Sequence, residues 1–252
     1  MSTHKYLSLD QLTKKKQMCE LRPRYVSQVA TTPCSVSLKS QVLQVYNQGS
    51  EGSCTANAYC MAYRMLNPDK SFNPSRQYCY WKERLIATSN NPDHVTDSGA
   101  NVEDGIKWVS ENGICSESSW PYTPTTVNTP PPPACDVEAV GHKLGRLTDI
   151  PVGNVNLIKQ ALVNVTPVLI AFGVYSNFEG TFTSKTGIVT MPTTSDMFLG
   201  GHEILIVGYH DFPGYFTCLN SWGSGWGNGG YAYFPYNFVS DNKLVYQLAC
   251  LV

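Results

Sequence analysis

Apolar positions recur at helical spacing in the first half of the chain and gather into short runs in the second. After a loop of small and polar residues at 48–53, Ala56, Ala58, Met61, Ala62, Met65 and Leu66 fall on helical positions. That spacing predicts a helix from Ser53 to Met65. Pro74 to Ile86 is a second helical stretch, whose Tyr78, Tyr80, Trp81 and Leu85 read as packing between helices. Val102, Ile106 and Val109 mark a third, closed by Asn112-Gly113 as a C-cap. Asn90 to Ala100 and the proline run within Thr123 to Pro133 are loops, the latter a surface loop near the junction of two halves. From Leu144 the pattern changes. A short helix at Leu157–Val163 precedes a buried strand at Val168–Val174, then strands at Ile188-Val189, Ile204–Tyr209, Tyr215–Asn220 and Tyr231–Phe234. Helices first and strands after predict an α+β protein of two lobes.

With 252 residues and 42% hydrophobic content, the chain is large enough for one large domain or two small ones. A formal net charge of −1 gives no electrostatic case for a nucleic-acid or membrane partner, and a monomer is expected. No run of eighteen apolar residues is present, and Met1–Lys16 lacks the apolar core of a signal peptide. The expected location is cytoplasmic, or exported without a classical signal peptide. Nine cysteines form no C-x-x-C pair, so neither a metal site nor a cofactor is expected. Most should be reduced, packed thiols; Cys115 and Cys135, flanking the proline-rich loop, are the pair to examine for a bridge.

Candidate chemistry centres on Gln48-Gly49-Ser50-Glu51-Gly52-Ser53-Cys54. A thiol in the first turn of a helix meets the positive end of the helix dipole and unpaired amides, both of which favour thiolate. Gln48 is close enough in such a loop to aim a side-chain amide at the same point. A nucleophilic thiol needs a base and a group that orients the base. His202 opens the apolar strand, after Gly200-Gly201, and Asn220 begins Asn220-Ser221-Trp222-Gly223-Ser224-Gly225-Trp226-Gly227. Both are residue types suited to these roles.

These three segments, in this order, resemble the papain family (C1-type) of cysteine peptidases, with Asp97-Ser98-Gly99 and Trp120-Pro121-Tyr122 as further landmarks; the resemblance covers roughly residues 36 to 236. It implies a two-lobed fold: a helical lobe at 34–142 carrying Cys54, a β-barrel-like lobe at 143–252 carrying His202 and Asn220, and the active site in the cleft between them. The implied activity is that of an endopeptidase working on peptide or protein substrates through a thioester acyl-enzyme. Gln48 and the Cys54 amide would hold the oxyanion, and Trp222 would shield the histidine–asparagine hydrogen bond. Ser98, Gly99 and Gly201 would line the substrate, and apolar residues near Ile170-Ala171 and Phe234-Pro235 would form a pocket for an apolar side chain. An inactive peptide-binding protein, or an acyl transferase or ligase using the same acyl-enzyme, are the alternatives.

Glu51 and Thr55 stand where the family pattern has a cysteine and an aromatic residue. The Ser-Cys-Thr-Ala-Asn-Ala start is similar to divergent bacterial, archaeal and viral members. Residues 1–33 precede the resemblance and contain Leu7, Leu9, Leu12, Lys14-Lys15-Lys16, Met18, Leu21 and Tyr25. They are expected to be a disordered tail or a surface-packed arm, or else a short pro-segment lying across the cleft and blocking Cys54.

Overall fold

The structure, a computed structural model, describes residues 5–19, 22–27 and 31–252. Leu21 and the Met18 side chain, both in the apolar pattern of the N-terminal extension, lie outside the described residues. Helix α1 (Leu9–Cys19) is followed by strand β1 (Ser35–Ser37), then α2 (Cys54–Leu66), α3 (Arg76–Ala87), α4 (Val102–Asn112) and α5 (Pro133–Ala139). The second half runs β2 (Leu147–Asp149), α6 (Val155–Val163), β3 (Val168–Tyr175), α7 (Ser176–Glu179), α8 (Thr181–Thr186), β4 (Phe198–His210), β5 (Tyr215–Leu219), β6 (Tyr231–Pro235), α9 (Tyr236–Val239) and β7 (Val245–Leu251). The α+β order expected from the chain is therefore found. Ile188 forms only an isolated bridge to Tyr233, where a strand was expected at 188–189.

Helix α2 is the axis of the molecule. Every residue from Cys54 to Tyr63 is buried, which is why the segment is apolar or small on all sides rather than on one stripe. It packs against α3 and α4 on one side and against β3 and β4 on the other. Helix α2 starts after Ser53 without a side-chain cap, and α4 ends at Gly113 with φ +90, a backbone setting that favours glycine.

Strand order is β2-β7-β3-β4-β5-β6, antiparallel throughout, with β1 added along the far end of β4. The sheet is open, with β2 and β6 at its edges, rather than closed into a barrel. Its central strand β3 is buried over Val168–Val174, in keeping with an apolar run that does not alternate. β1 belongs to the sheet although it precedes α2 in the chain, so the first residues after the extension tie the two halves together. Phe234, expected to line a substrate pocket, instead packs in the sheet's aromatic core against Phe172, Phe178 and Phe238.

The eight cysteines whose side chains are described are free thiols, Cys34 exposed and the rest buried. Cys115 and Cys135 lie side by side as thiols, without a bridge. No helix among the described residues is long and apolar enough to cross a membrane, and no group of three or more metal-ligating side chains occurs there.

Candidate active site

The loop before α2 is pinned at several points. Gln48 N–H donates to the Ser221 carbonyl (2.8 Å), and Asp97 Oδ1 accepts from the Gly52 N–H (2.9 Å) and from the Tyr80 hydroxyl (2.7 Å). A Cβ on Gly52 would stand 3.0 Å from the Gly99 nitrogen and 3.1 Å from the Tyr80 hydroxyl, so only glycine lets the two loops approach so closely. Tyr122 donates to the Gln48 carbonyl (3.0 Å) and meets the Ser53 hydroxyl. Glu51, buried at the position of the family cysteine, is pushed up to about 7 by its burial. Thr55 does more than vacate an aromatic site: its hydroxyl donates to the buried Glu83 (2.7 Å), a carboxyl that burial raises well above its ordinary range.

The Gln48 side chain is held at both ends of its amide. Its Oε1 accepts from the Ser221 hydroxyl (2.7 Å), and its Nε2 donates to the Glu51 carbonyl (3.0 Å), which uses one of its two N–H groups. Ser221 directly follows Asn220, so the oxyanion candidate and the orienting asparagine share one strut.

His202 and Asn220 come together at 2.8 Å, His202 Nε2 to Asn220 Oδ1, and both are completely buried. The Ser221 backbone N–H also donates to Asn220 Oδ1 (2.8 Å), which fixes that atom as the amide oxygen. An oxygen can only accept, so Nε2 carries the proton of the neutral imidazole and Nδ1 is its basic nitrogen. Trp222 stacks on the imidazole with ring centroids 4.9 Å apart and planes inclined 26°. Burial beneath that indole strengthens the hydrogen bond by removing water.

Cys54 begins α2 and its thiol lies against the backbone N–H of Glu203, the residue after His202. The helix N-terminus is thus joined to the histidine strand. The thiol is completely buried, however, in a small apolar cluster of Leu7, Leu12 and Ala171. Burial pushes it up to about 12, helped by the Glu203 carboxylate and opposed by the Glu203 amide and the Lys15 ammonium.

What seals it is the N-terminal extension. Leu7 exchanges two backbone hydrogen bonds with Gly201, 2.7 Å and 2.6 Å. A Cβ on Gly201 would stand 2.6 Å from Leu12, so the glycine before His202 makes room for the extension. Leu7 and Gln11 also cover Gly99, each within 3.3 Å of the position a Cβ would take there, while Ser98 beside it stays exposed. Tyr6 sits edge-on to both His202 and Trp222 and meets Glu179, and Lys5 pairs with Asp97. Leu12 and Lys15, three residues apart, form the buried stripe of α1, which packs on β4 and β7; Leu9 is exposed.

Lys15 itself is buried. Its Nζ lies 2.7 Å from Glu203 and 3.5 Å from Glu103 of α4, and 3.5 Å from Gln247 Oε1 of β7. Arg22 continues the network to Glu103 (3.3 Å) and Asp149 (2.8 Å). Glu203 and Glu103, the carboxylates paired with Lys15, were not anticipated as site residues. The available signal was a glutamate directly after the histidine, in a strand otherwise apolar from Ile204 to Val207, and a lysine-bearing segment outside the family's length.

Known proteins resemble this chain over most of its length. A family model described as papain family cysteine protease matches residues 32–245. An uncharacterized peptidase C1-like protein of Acanthamoeba polyphaga mimivirus is 33% identical over 240 residues, covering 91% of this chain and 76% of the viral protein. Bovine (Bos taurus) cathepsin S is 27% identical over 197 residues, covering 77% of this chain and 56% of its own length. Among solved structures, xylellain, a cysteine protease from Xylella fastidiosa, superimposes with a TM-score of 0.82 at 31% identity, over 92% of this chain and 91% of that one. With the motifs in order and the fold of that protease around them, the chain belongs to the papain family of cysteine proteases.

Proposed function

We propose that the chain is a cysteine endopeptidase that cuts peptide bonds through a thioester acyl-enzyme and that its own N-terminal extension holds it latent. The observation that carries this is the sealed thiol: Cys54 is covered by Leu7 and Leu12 of an extension that pairs with Gly201 through its backbone, as an extended peptide would. Residues 1–33 are read as the extension, 34–142 as the lobe supplying the nucleophile and 143–252 as the lobe supplying the base.

With the extension displaced, a substrate strand takes the place of Leu7 on Gly201, with Ser98 and Gly99 as the opposite edge. His202 Nδ1 takes the Cys54 proton, giving a thiolate beside an imidazolium that Asn220 orients without adding charge. Sulfur attacks the scissile carbonyl. The tetrahedral oxyanion accepts hydrogen bonds from the Cys54 amide and the second N–H of Gln48 Nε2. The C–N bond then breaks as His202 returns the proton to the leaving amine, leaving an acyl-thioester. Water, deprotonated by His202, attacks the thioester and releases acid and thiol.

The test is hydrolysis of a mixed peptide set by the full chain and by a chain starting at Thr32, each beside its Cys54→Ala form. Cys54-dependent cleavage that is faster without the extension is the expected result. Equal rates make the extension a structural arm. Folded chains that neither cleave any peptide nor react with a peptidyl thiol-directed electrophile refute the peptidase reading.

A further inference from the structure

We infer that the hollow filled by Lys15 is a substrate-specificity pocket for a basic side chain, lysine or arginine, adjoining the scissile bond; this rests on the peptidase reading above. The pocket is built across three strands. Ala171 of β3 stands opposite Glu203 of β4 and opposite Gln247 of β7, so the three side chains form one row on the same face of the sheet. The small central alanine makes a dent between two long polar neighbours, and that alanine belongs to the same buried cluster as Cys54. Glu103, in the first turn of α4, closes the dent from the helical half.

The dent opens at the nucleophile and contains carboxylates from both halves of the molecule. Among the described residues, the ion pairs made by Glu203 and Glu103 are with Lys15 and Arg22, both of the extension. Displacing the extension therefore removes both cations and leaves two carboxylates facing the cleft. An apolar side chain entering there would bury Glu203 without a partner or force it to take up a proton, and either cost offsets what the apolar burial returns. A lysine or arginine restores the pairing that Lys15 makes in the closed chain, and Gln247 Oε1 offers a further acceptor to the incoming cation. A site that pairs with a charged substrate group discriminates strongly against analogues lacking it. This replaces the apolar preference expected from the residues near Ile170-Ala171.

The experiment uses the full-length chain carrying Lys15→Ala, beside the wild-type chain and Cys54→Ala controls, on a peptide library read by mass spectrometry. The expected result is Cys54-dependent cleavage with lysine or arginine enriched at one position before the cut. There kcat/KM should exceed that for leucine by about tenfold or more. Glu203→Gln should lower the lysine-to-leucine ratio by about tenfold, and Gln247→Glu, at the other end of the row, should raise it. The second substitution keeps the test open if the first does not fold. Cys54-dependent cleavage that favours apolar residues, or a basic preference that neither substitution moves, overturns this inference and leaves the peptidase reading standing. No Cys54-dependent cleavage by any of these chains overturns the peptidase reading, and the pocket assignment with it.

Discussion

Lys15→Ala tests how the extension is held, because the cost of the substitution can be worked from the contacts. Lys15 Nζ and Glu203 Oε2 are 2.7 Å apart and both side chains are fully buried. Removing one partner of a buried ion pair costs about 3–5 kcal/mol. Here the lower end applies. Burial raises the Glu203 carboxyl, so in the closed chain it can take up a proton instead of standing as a bare charge. Loss of the buried methylenes acts in the same direction. About 3 kcal/mol against the docked extension corresponds to a roughly hundredfold larger open fraction.

That fraction can be read from the rate at which iodoacetamide modifies Cys54, since a completely buried thiol reacts only when the extension lifts. Exposed Cys34 in the same molecule serves as the reference. The ratio of Cys54 to Cys34 modification, followed by peptide mass spectrometry, should rise about a hundredfold in Lys15→Ala. Lys16→Ala is the control: among the described residues its Nζ meets only the exposed Asn242 carbonyl, at 3.2 Å, and the ratio should change by no more than about twofold. A Lys15→Ala chain that keeps its fold while the ratio moves by less than about threefold would refute the claim that this ion pair holds the extension down.

Two more predictions follow from other parts of the structure. In the closed chain burial pushes the Cys54 thiol up to about 12, so the closed state holds a proton that an open thiol at the helix start sheds at lower pH. Closure therefore loses stability as pH rises toward about 12; wild-type Cys54 alkylation, relative to Cys34, should climb as pH rises toward that value, and a flat profile would contradict it. Gly113→Ala should be destabilising by more than about 2 kcal/mol in urea unfolding, because φ is +90 and the new Cβ would fall 1.7 Å from the Ala139 carbonyl oxygen. A stability loss below about 0.5 kcal/mol would show that this C-cap can rearrange freely.

The parts of the fold that were legible in the chain are those where local pattern and burial point the same way. Helices α2, α3 and α4 have strong periodicity, and their starts fall within two residues of the expected ones. Strand β3 reads as an apolar run because both of its faces are covered. The candidate site residues stand out in the chain because each sits in a motif whose backbone geometry is special: a glycine-bounded helix start, a glycine pair before a histidine, an asparagine before a covering tryptophan. The expected pairing of His202 with Asn220 and the stacking of Trp222 on the imidazole are both present.

The rest depended on partners far away in the chain. Nothing local distinguishes Lys15 from Lys14 and Lys16, yet Lys15 alone of the three is buried, because α1 turns that face toward Glu203 and Glu103. Glu203 in an apolar strand makes sense only once the extension's lysine is in place beside it. Thr55 reads as a loss of apolar mass until Glu83, 28 residues on, supplies a buried acceptor for its hydroxyl. The open sheet, too, follows from long-range pairing: β7 comes last in the chain and lies between β2 and β3. Such placements are set by tertiary packing, which sequence periodicity does not encode.

On the proposed reading, the same contacts would tie latency to substrate choice. Glu203 has two effects at the nucleophile: its backbone N–H favours the Cys54 thiolate, and its carboxylate opposes it. Lys15 offsets the carboxylate, but it arrives with Leu7 and Leu12, whose burial of the thiol outweighs the charge it brings. A lysine or arginine from a substrate would supply the cation without Leu12's cover over the sulfur. The carboxylate would be neutralised while the attacking atom stays open to the scissile carbonyl. An apolar side chain in the same dent would leave Glu203 either as an unpaired charge opposing the thiolate or holding a proton that burial makes it take up, and neither supplies the cation that offsets it. The acidic dent thus penalises the wrong occupant in its binding and again in the nucleophile it would meet. A lysine anchored in a short N-terminal helix is for the same reason an effective plug: it satisfies the pocket's charge while the leucines beside it keep the sulfur protonated.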